Sequence, residues 1–263
     1  MTETNKKAIL AVSYGTADPE QYERTIAKIE GTLASAFPER RLFSAWTSGF
    51  MRGRIMASCG MCVDSVDDAM KRMADYGVED VIVQFLLVSE GEEYDRVICA
   101  VKRYAERFRR ISVGRPLLSR TEDADALAEK LSAHYASIPE NEMLVFMAHG
   151  TPDADSSMTA ASNDSFSALG SDRFAVGTLE GKPGIEPVLR ALNKRKPRLI
   201  HIAPLMISVG KHTLRDIAGE GERSLKSIIA REGVKTHCIL HGLGEYAEIT
   251  ELFVRHAKEA ETI

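Results

Sequence analysis

Short, uninterrupted apolar runs recur along this chain, and most are followed by stretches in which apolar positions return every third or fourth residue. The first run occupies residues 8–13 and stops at Tyr14-Gly15-Thr16. Such runs, bounded by turn residues, describe strands buried on both faces, as in parallel sheets. Asp18-Pro19 reads as a helix start. Ile26, Ile29, Leu33 and Phe37 share one helical face, and Pro38 closes it. Strands are predicted over 41–46, 80–88 and 111–118, and helices over 66–76, from Tyr94 to about Arg107, and over 123–137. Gly77 is the expected stop of the helix before it.

Near residue 140 the pattern restarts. Residues 143–151 echo residues 8–16: an apolar run, one polar residue, then Gly-Thr. Strands follow over 174–178, 199–209 and 236–240, with helices over 184–192 and 214–232 and a last one carrying Ile249, Leu252, Phe253 and His256. Alternating strands and helices predict an α/β fold of two similar lobes, with mainly parallel sheets flanked by helices. The expected division is an N-terminal lobe over 1–139 and a C-terminal lobe over 140–263, whose final helix packs back on the first. A ligand is expected in the cleft between lobes, at strand carboxyl ends. The polar, serine-rich stretch 152–173 reads as a flap or insertion beside His149.

Composition narrows the class. With 44% hydrophobic and 27% charged residues the chain is ordinary globular material. A net charge of −4 argues against nucleic acid as a partner. No secretory pattern opens the sequence, and no run approaches the ~20 apolar residues that span a bilayer. The expectation is therefore a cytoplasmic protein without a membrane partner. Cys59, Cys62, Cys99 and Cys238 are expected to be reduced there. The single Cys59-x-x-Cys62 spacing is weak evidence for a metal site, since a thiolate cage needs more ligands.

Candidate chemistry sits at the ends of the apolar runs. His149 follows residues 143–148, and His212 follows the run that ends at Val209. Two imidazoles at strand ends can share a metal ion or a proton-transfer task. Glu180, in Gly177-Thr178-Leu179-Glu180-Gly181, is a candidate third ligand. Two histidines and a carboxylate suit a first-row divalent ion with open positions. Ser13 and Glu93 complete the strand-end set. His201 reads as a core histidine, and His134, His237 and His256 as surface or packing residues. No GxGxxG or GxxxxGK[ST] follows the first strand, which disfavours a nucleotide site.

These segments together resemble the class II chelatases, and among them the long, two-lobed anaerobic sirohydrochlorin cobaltochelatases. The resemblance rests on Val12-Ser13-Tyr14-Gly15-Thr16, Phe43-Ser44-Ala45-Trp46-Thr47-Ser48-Gly49, Gly91-Glu92-Glu93-Tyr94 and Val145-Phe146-Met147-Ala148-His149-Gly150. It continues through Val176-Gly177-Thr178-Leu179-Glu180, the segment from Pro204 to His212, and Gly242-Leu243-Gly244-Glu245. It implies insertion of Co²⁺ into sirohydrochlorin in cobalamin biosynthesis, with release of two protons. Cobalt is then a substrate metal, and no organic cofactor is expected. The resemblance further implies that His149, Glu180 and His212 hold the metal. It gives His149, His212 and Glu93 the proton handling, and Ser13, Thr16 and Lys211 contacts to the tetrapyrrole. Lys211, Arg52, Arg54 and Arg215 are positioned to pair with substrate carboxylates. Leu87 stands where relatives commonly carry histidine, which bears on metal preference. The alternatives are a chelatase for Fe²⁺ or Ni²⁺, or a non-catalytic tetrapyrrole- or metal-binding protein on the same fold. A homo-oligomer is compatible with either.

Overall fold

The structure, a computed structural model, describes residues 6–150, 157–170 and 172–263, and only the backbone of Ser157 and His212. The chain forms two compact units, one from residues 1–119 with 244–263 and one from 120–243.

In the first unit, β1 (Lys7–Ser13), β2 (Arg41–Trp46), β3 (Asp80–Phe85), β4 (Arg110–Gly114) and β9 (Glu261–Thr262) make one sheet in the order β2-β1-β3-β4-β9. All pairs are parallel except β4 with β9. Alternate residues of β1 divide between two apolar layers. Ala8, Leu10 and Val12 join Val66, Met70 and Met73 of α4 (Val66–Asp75) and Val97 and Val101 of α5 (Glu92–Lys102). On the opposite face lie α2 (Ile26–Ala36) and α11 (Ala247–Lys258), which pack on each other and on the strands. Because both faces are covered, the central strands β1 and β3 are buried along nearly their whole length rather than at alternate residues.

In the second unit, β5 (Met143–Ala148), β6 (Phe174–Thr178), β7 (Leu199–Pro204) and β8 (Lys235–Cys238) form an all-parallel sheet in the order β6-β5-β7-β8. Met143, Val145 and Met147 face an apolar layer with Val188 and Leu192 of α8 (Glu186–Arg195), Ile217 of α9 (Lys211–Ala218) and Ile229 of α10 (Leu225–Arg231). Phe146 faces the other way and stacks with Phe166 of α7 (Ser157–Ala168) and with Phe174. This order repeats that of β2-β1-β3-β4, so the restart in the sequence is a repeat of topology.

The division falls at 119/120 rather than at 139/140. The helix α6 (Thr121–His134) packs on α7 and so belongs to the second unit, while α11 and β9 belong to the first. Two predicted helices are interrupted. The first becomes α1 (Pro19–Arg24) and α2, broken at Thr25, whose hydroxyl donates to the Gln21 carbonyl at 2.5 Å. The helix expected over 214–232 divides into α9 and α10. Gly219 leaves α9 in extended backbone, and the Ser224 hydroxyl accepts from the Ser227 N–H to start α10. A helix not predicted, α3 (Gly49–Cys59), follows β2, with the Ser48 hydroxyl accepting from the Met51 N–H. The supposed flap is helical from Ser157 to Ala168, with Phe166 in the aromatic stack; residues 152–156 lie outside the described residues. Among the described residues no helix is long and apolar enough to cross a membrane.

Candidate metal-handling strand ends

In an open parallel sheet, ligands meet the carboxyl ends where the strand order reverses. In the second unit that reversal lies between β5 and β7, since β6 is added on one side of β5 and β7 on the other. His149 is the first residue past β5 and exposes its ring, with Nδ1 3.0 Å from the Gly150 carbonyl oxygen. The ladder between β5 and β6 continues past both strands. The Leu179 N–H donates to the Ala148 carbonyl and the Glu180 N–H to the His149 carbonyl, both at 2.9 Å. Glu180 is thereby fixed beside His149 by backbone bonding, with its own side chain exposed.

Gly150 makes this approach feasible. Its φ is +74°, and a Cβ added there would lie 2.0 Å from the Glu180 carbonyl oxygen. The first unit holds the same device. Gly15, at φ +94°, abuts the Trp46 ring, while the Thr47 and Ser48 N–H groups donate to the Ser13 and Tyr14 carbonyls. Tyr14 and Ser48 are thus the counterparts of His149 and Glu180, and only the second unit presents an imidazole and a carboxylate at these points.

The third predicted ligand follows β7. The strand stops at Pro204, and the rest of the apolar run, Leu205 to Val209, stays largely buried as a loop. The Leu205 N–H donates to the Met147 carbonyl, tying this loop to the end of β5. Gly210 caps α9, and His212 is the second residue of that helix. Lys211 precedes it and is exposed. Among the described residues no three metal-ligating side chains form a group, and the His212 side chain lies outside that description.

The remaining predicted residues lie in the first unit. Glu93 occupies the first turn of α5, half-buried, and accepts from Arg96 Nη2 at 3.0 Å. Tyr94 beside it packs on Phe85 at 4.5 Å between ring centroids, and burial raises its phenol pKa. The Thr16 hydroxyl accepts from the Asp18 N–H at 3.3 Å. Ser13 is buried at the end of β1, and its Oγ has no hydrogen-bond partner among the described residues. The same holds for Trp46 Nε1 and Thr47 Oγ1 on the adjoining strand end. Buried polar atoms left unpaired cost about 1–3 kcal/mol each, so their clustering at one strand end favours a polar ligand there.

Sequence alone does not single out Trp46 and Thr47 as neighbours of Ser13, because a parallel register across 33 positions, Ser13 against Trp46 (46 − 13), is invisible in a linear pattern. The helix α3 was missed for a related reason. It buries only Ile55 and exposes Phe50, Met56 and Arg54, so no apolar stripe marks it. Leu87 packs against the apolar layer beneath α4 and α5. Cys59 ends α3, and Cys62 is exposed in the loop beyond.

Comparison with known proteins follows the same outline. Residues 7–262 match the family model described as cobalt chelatase (CbiK). Two relatives cover nearly the whole chain. A sirohydrochlorin cobaltochelatase of Salmonella typhimurium is 32% identical over 97% of this chain and 96% of its own length. A sirohydrochlorin cobaltochelatase, CbiKC, of Nitratidesulfovibrio vulgaris is 30% identical over 97% of this chain and 90% of its own. Among solved structures, SirB from Bacillus subtilis with Fe³⁺ superposes with a TM-score of 0.67 at 17% identity, covering 97% of this chain and 95% of that one. CbiX, a terminal enzyme of sirohaem biosynthesis in denitrifying bacteria, gives 0.58 at 18% identity, covering 96% and 99%. These two likenesses establish a shared fold.

Proposed function

The chain belongs to the cobalt chelatase (CbiK) family, and we propose that it inserts Co²⁺ into sirohydrochlorin, with His149, Glu180 and His212 as the residues that receive the metal. The observation that carries the assignment of residues is the backbone bond from Glu180 to His149 past the ends of β6 and β5, on the strand β5 from which the order reverses. It brings the backbones of these two residues together at the end of the sheet, and α9, whose second residue is His212, starts after the strand on the other side of β5; both support the assignment.

The chemistry asks for a site that takes up a metal and gives it away. Neutral imidazoles bind Co²⁺ well enough to strip some of its water, whereas a cage of thiolates would hold too tightly for release. As Co²⁺ enters the ring, two pyrrole N–H protons leave. Histidine titrates near neutrality and can accept such a proton and pass it to water. Glu180 beside His149 stabilises the imidazolium that results. Glu93, paired with Arg96, is assigned a second proton-handling role from the first unit.

Substrate contacts are assigned to Ser13, Thr16 and Lys211. The unpartnered Ser13 Oγ supports a polar contact at the end of β1. Lys211, Arg54 and Arg215 are exposed and suit the carboxylates of sirohydrochlorin. Localisation in the cytoplasm is part of the same proposal, as a biosynthetic role requires no membrane segment.

The test is anaerobic absorbance spectroscopy of purified protein with sirohydrochlorin and Co²⁺. The wild type is expected to convert the metal-free spectrum to that of the cobalt complex. His149→Ala and His212→Ala are each expected to lower the rate at least about 100-fold, the lower end of what a positioned proton-transfer group supplies. Wild-type rates in both folded variants would overturn the assignment of residues, and no conversion by the wild type would overturn the activity.

A further inference from the structure

A second imidazole cluster lies in the same unit, away from the strand ends described above. His201, third in β7, and His237, third in β8, are register partners on neighbouring parallel strands. Their side chains therefore leave the sheet on the same face. Their Nδ1 atoms are 3.2 Å apart, and the rings meet edge-on at 83°. Behind His201, its Nε2 lies 2.7 Å from Oε2 of Glu142, a buried carboxylate whose other oxygen takes the Arg198 guanidinium. An anionic acceptor at that place keeps the His201 proton on Nε2 and leaves the Nδ1 lone pair facing His237. His237 sits on the edge strand and is exposed, so the pair is open to solvent.

We propose that His201 Nδ1 and His237 Nδ1 bind one divalent first-row transition ion, with Glu142 as the carboxylate supporting His201 and water in the remaining positions. Two nitrogens bound at ~2.0–2.1 Å in a tetrahedral arrangement lie about 3.3 Å apart, close to the separation already present. The metal-free pair is a hydrogen bond in which His237 Nδ1 donates to His201 Nδ1. Binding moves that proton to the solvent-facing Nε2 of His237, so no charged intermediate is needed. Imidazole ligands select Cu²⁺, Ni²⁺, Zn²⁺ and Co²⁺ over Mg²⁺ and Ca²⁺, which prefer oxygen. His201 precedes the end of β7 by three residues (204 − 201), roughly 10 Å along the strand. The pair is thus separate from His149 and Glu180 and does not depend on their role.

The experiment uses the full chain carrying His149→Ala and His212→Ala, titrated with Cu²⁺ and read by electron paramagnetic resonance and isothermal calorimetry. A bound ion with superhyperfine splitting from two imidazole nitrogens is expected. Adding His237→Ala should remove one equivalent of binding or weaken it at least about tenfold, and adding His201→Ala should do the same. Glu142→Gln should weaken binding about 10–100-fold while keeping the two-nitrogen signature. His237 is exposed, so its replacement leaves the fold intact, and circular dichroism verifies this. Unchanged stoichiometry, affinity and nitrogen count in the His237→Ala protein would overturn the proposal and leave the pair a hydrogen bond only.

Discussion

Replacing Gly150 by alanine tests the link between backbone geometry and metal handling, because the change adds one methyl group and removes no functional side chain. Two penalties combine. A non-glycine residue at φ +74° costs about 1–2 kcal/mol. The new Cβ would also stand 2.0 Å from the Glu180 carbonyl oxygen and 2.9 Å from Thr178 Cβ, so the end of β6 must move. Displacement of packed atoms costs about 1–3 kcal/mol, and loss of the bond from the Glu180 N–H to the His149 carbonyl about 0.5–1.5 kcal/mol. Together the expected destabilisation is about 2.5–6.5 kcal/mol. Gly170 supplies the control. Its φ is +68° with no described residue within 4 Å of the added Cβ, so Gly170→Ala should cost about 1–2 kcal/mol only. Urea titration gives both values, and the anaerobic insertion assay gives the rates. Gly150→Ala should lose most of its insertion rate even where it is fully folded, because Glu180 no longer stands beside His149. Equal stability losses in the two variants, or a wild-type insertion rate in Gly150→Ala, would refute the reasoning.

Two further predictions concern buried carboxylates of the first unit. Asp80 is buried at the start of β3; burial raises its pKa, but Arg40 at 2.9 Å and Arg110 at 2.5 Å outweigh that and hold the carboxyl below its ordinary range. Its stabilisation is present above the unfolded-state value and lost as pH falls through the lower folded value. Asp80→Asn should therefore cost about 3–5 kcal/mol at pH 7, with the difference from wild type shrinking below about pH 4 in urea titrations. A pH-independent difference would contradict this pairing. Glu30 behaves in the opposite sense: burial drives its pKa up, only partly offset by the Ser44 and Tyr22 hydroxyls that donate to it. Its stabilisation is complete below the unfolded-state value and declines as pH rises through the folded one. Glu30→Gln keeps the shape without the charge, so its stability relative to wild type should rise between pH 4.5 and pH 8; a constant difference would show that the carboxyl titrates normally.

Legibility in the sequence followed the range of the interaction responsible. The strands were readable because a parallel sheet covered on both faces needs continuous apolar runs, as in residues 8–13 and 143–148. The repeat was readable for the same reason, since His149-Gly150 recurs at the place of Tyr14-Gly15. Interruptions were not. At Thr25 the backbone departs from helical angles, to φ −124° and ψ −80°, with no change in the spacing of apolar residues, and α9 ends at a glycine whose neighbours preserve helical spacing. His201 shows the limit most clearly. Within an apolar strand it reads as a core histidine, yet it pairs with His237, 36 residues away, and with Glu142, 59 residues away. Only strand register brings those three together. Glu180 stands out in its motif as a candidate, but the bond that brings its backbone to that of His149 is a property of the ladder.

The return of residues 244–263 to the first unit reverses the order in which synthesis can complete the two halves. A nascent chain ending at residue 243 already contains every strand of β6-β5-β7-β8 and all the helices around them. The amino-terminal sheet, though translated earlier, still lacks its antiparallel edge and the helix that lies against α2. The half made last is thus finished first, and the half made first exposes an apolar flank on the ribosome until the final segment emerges.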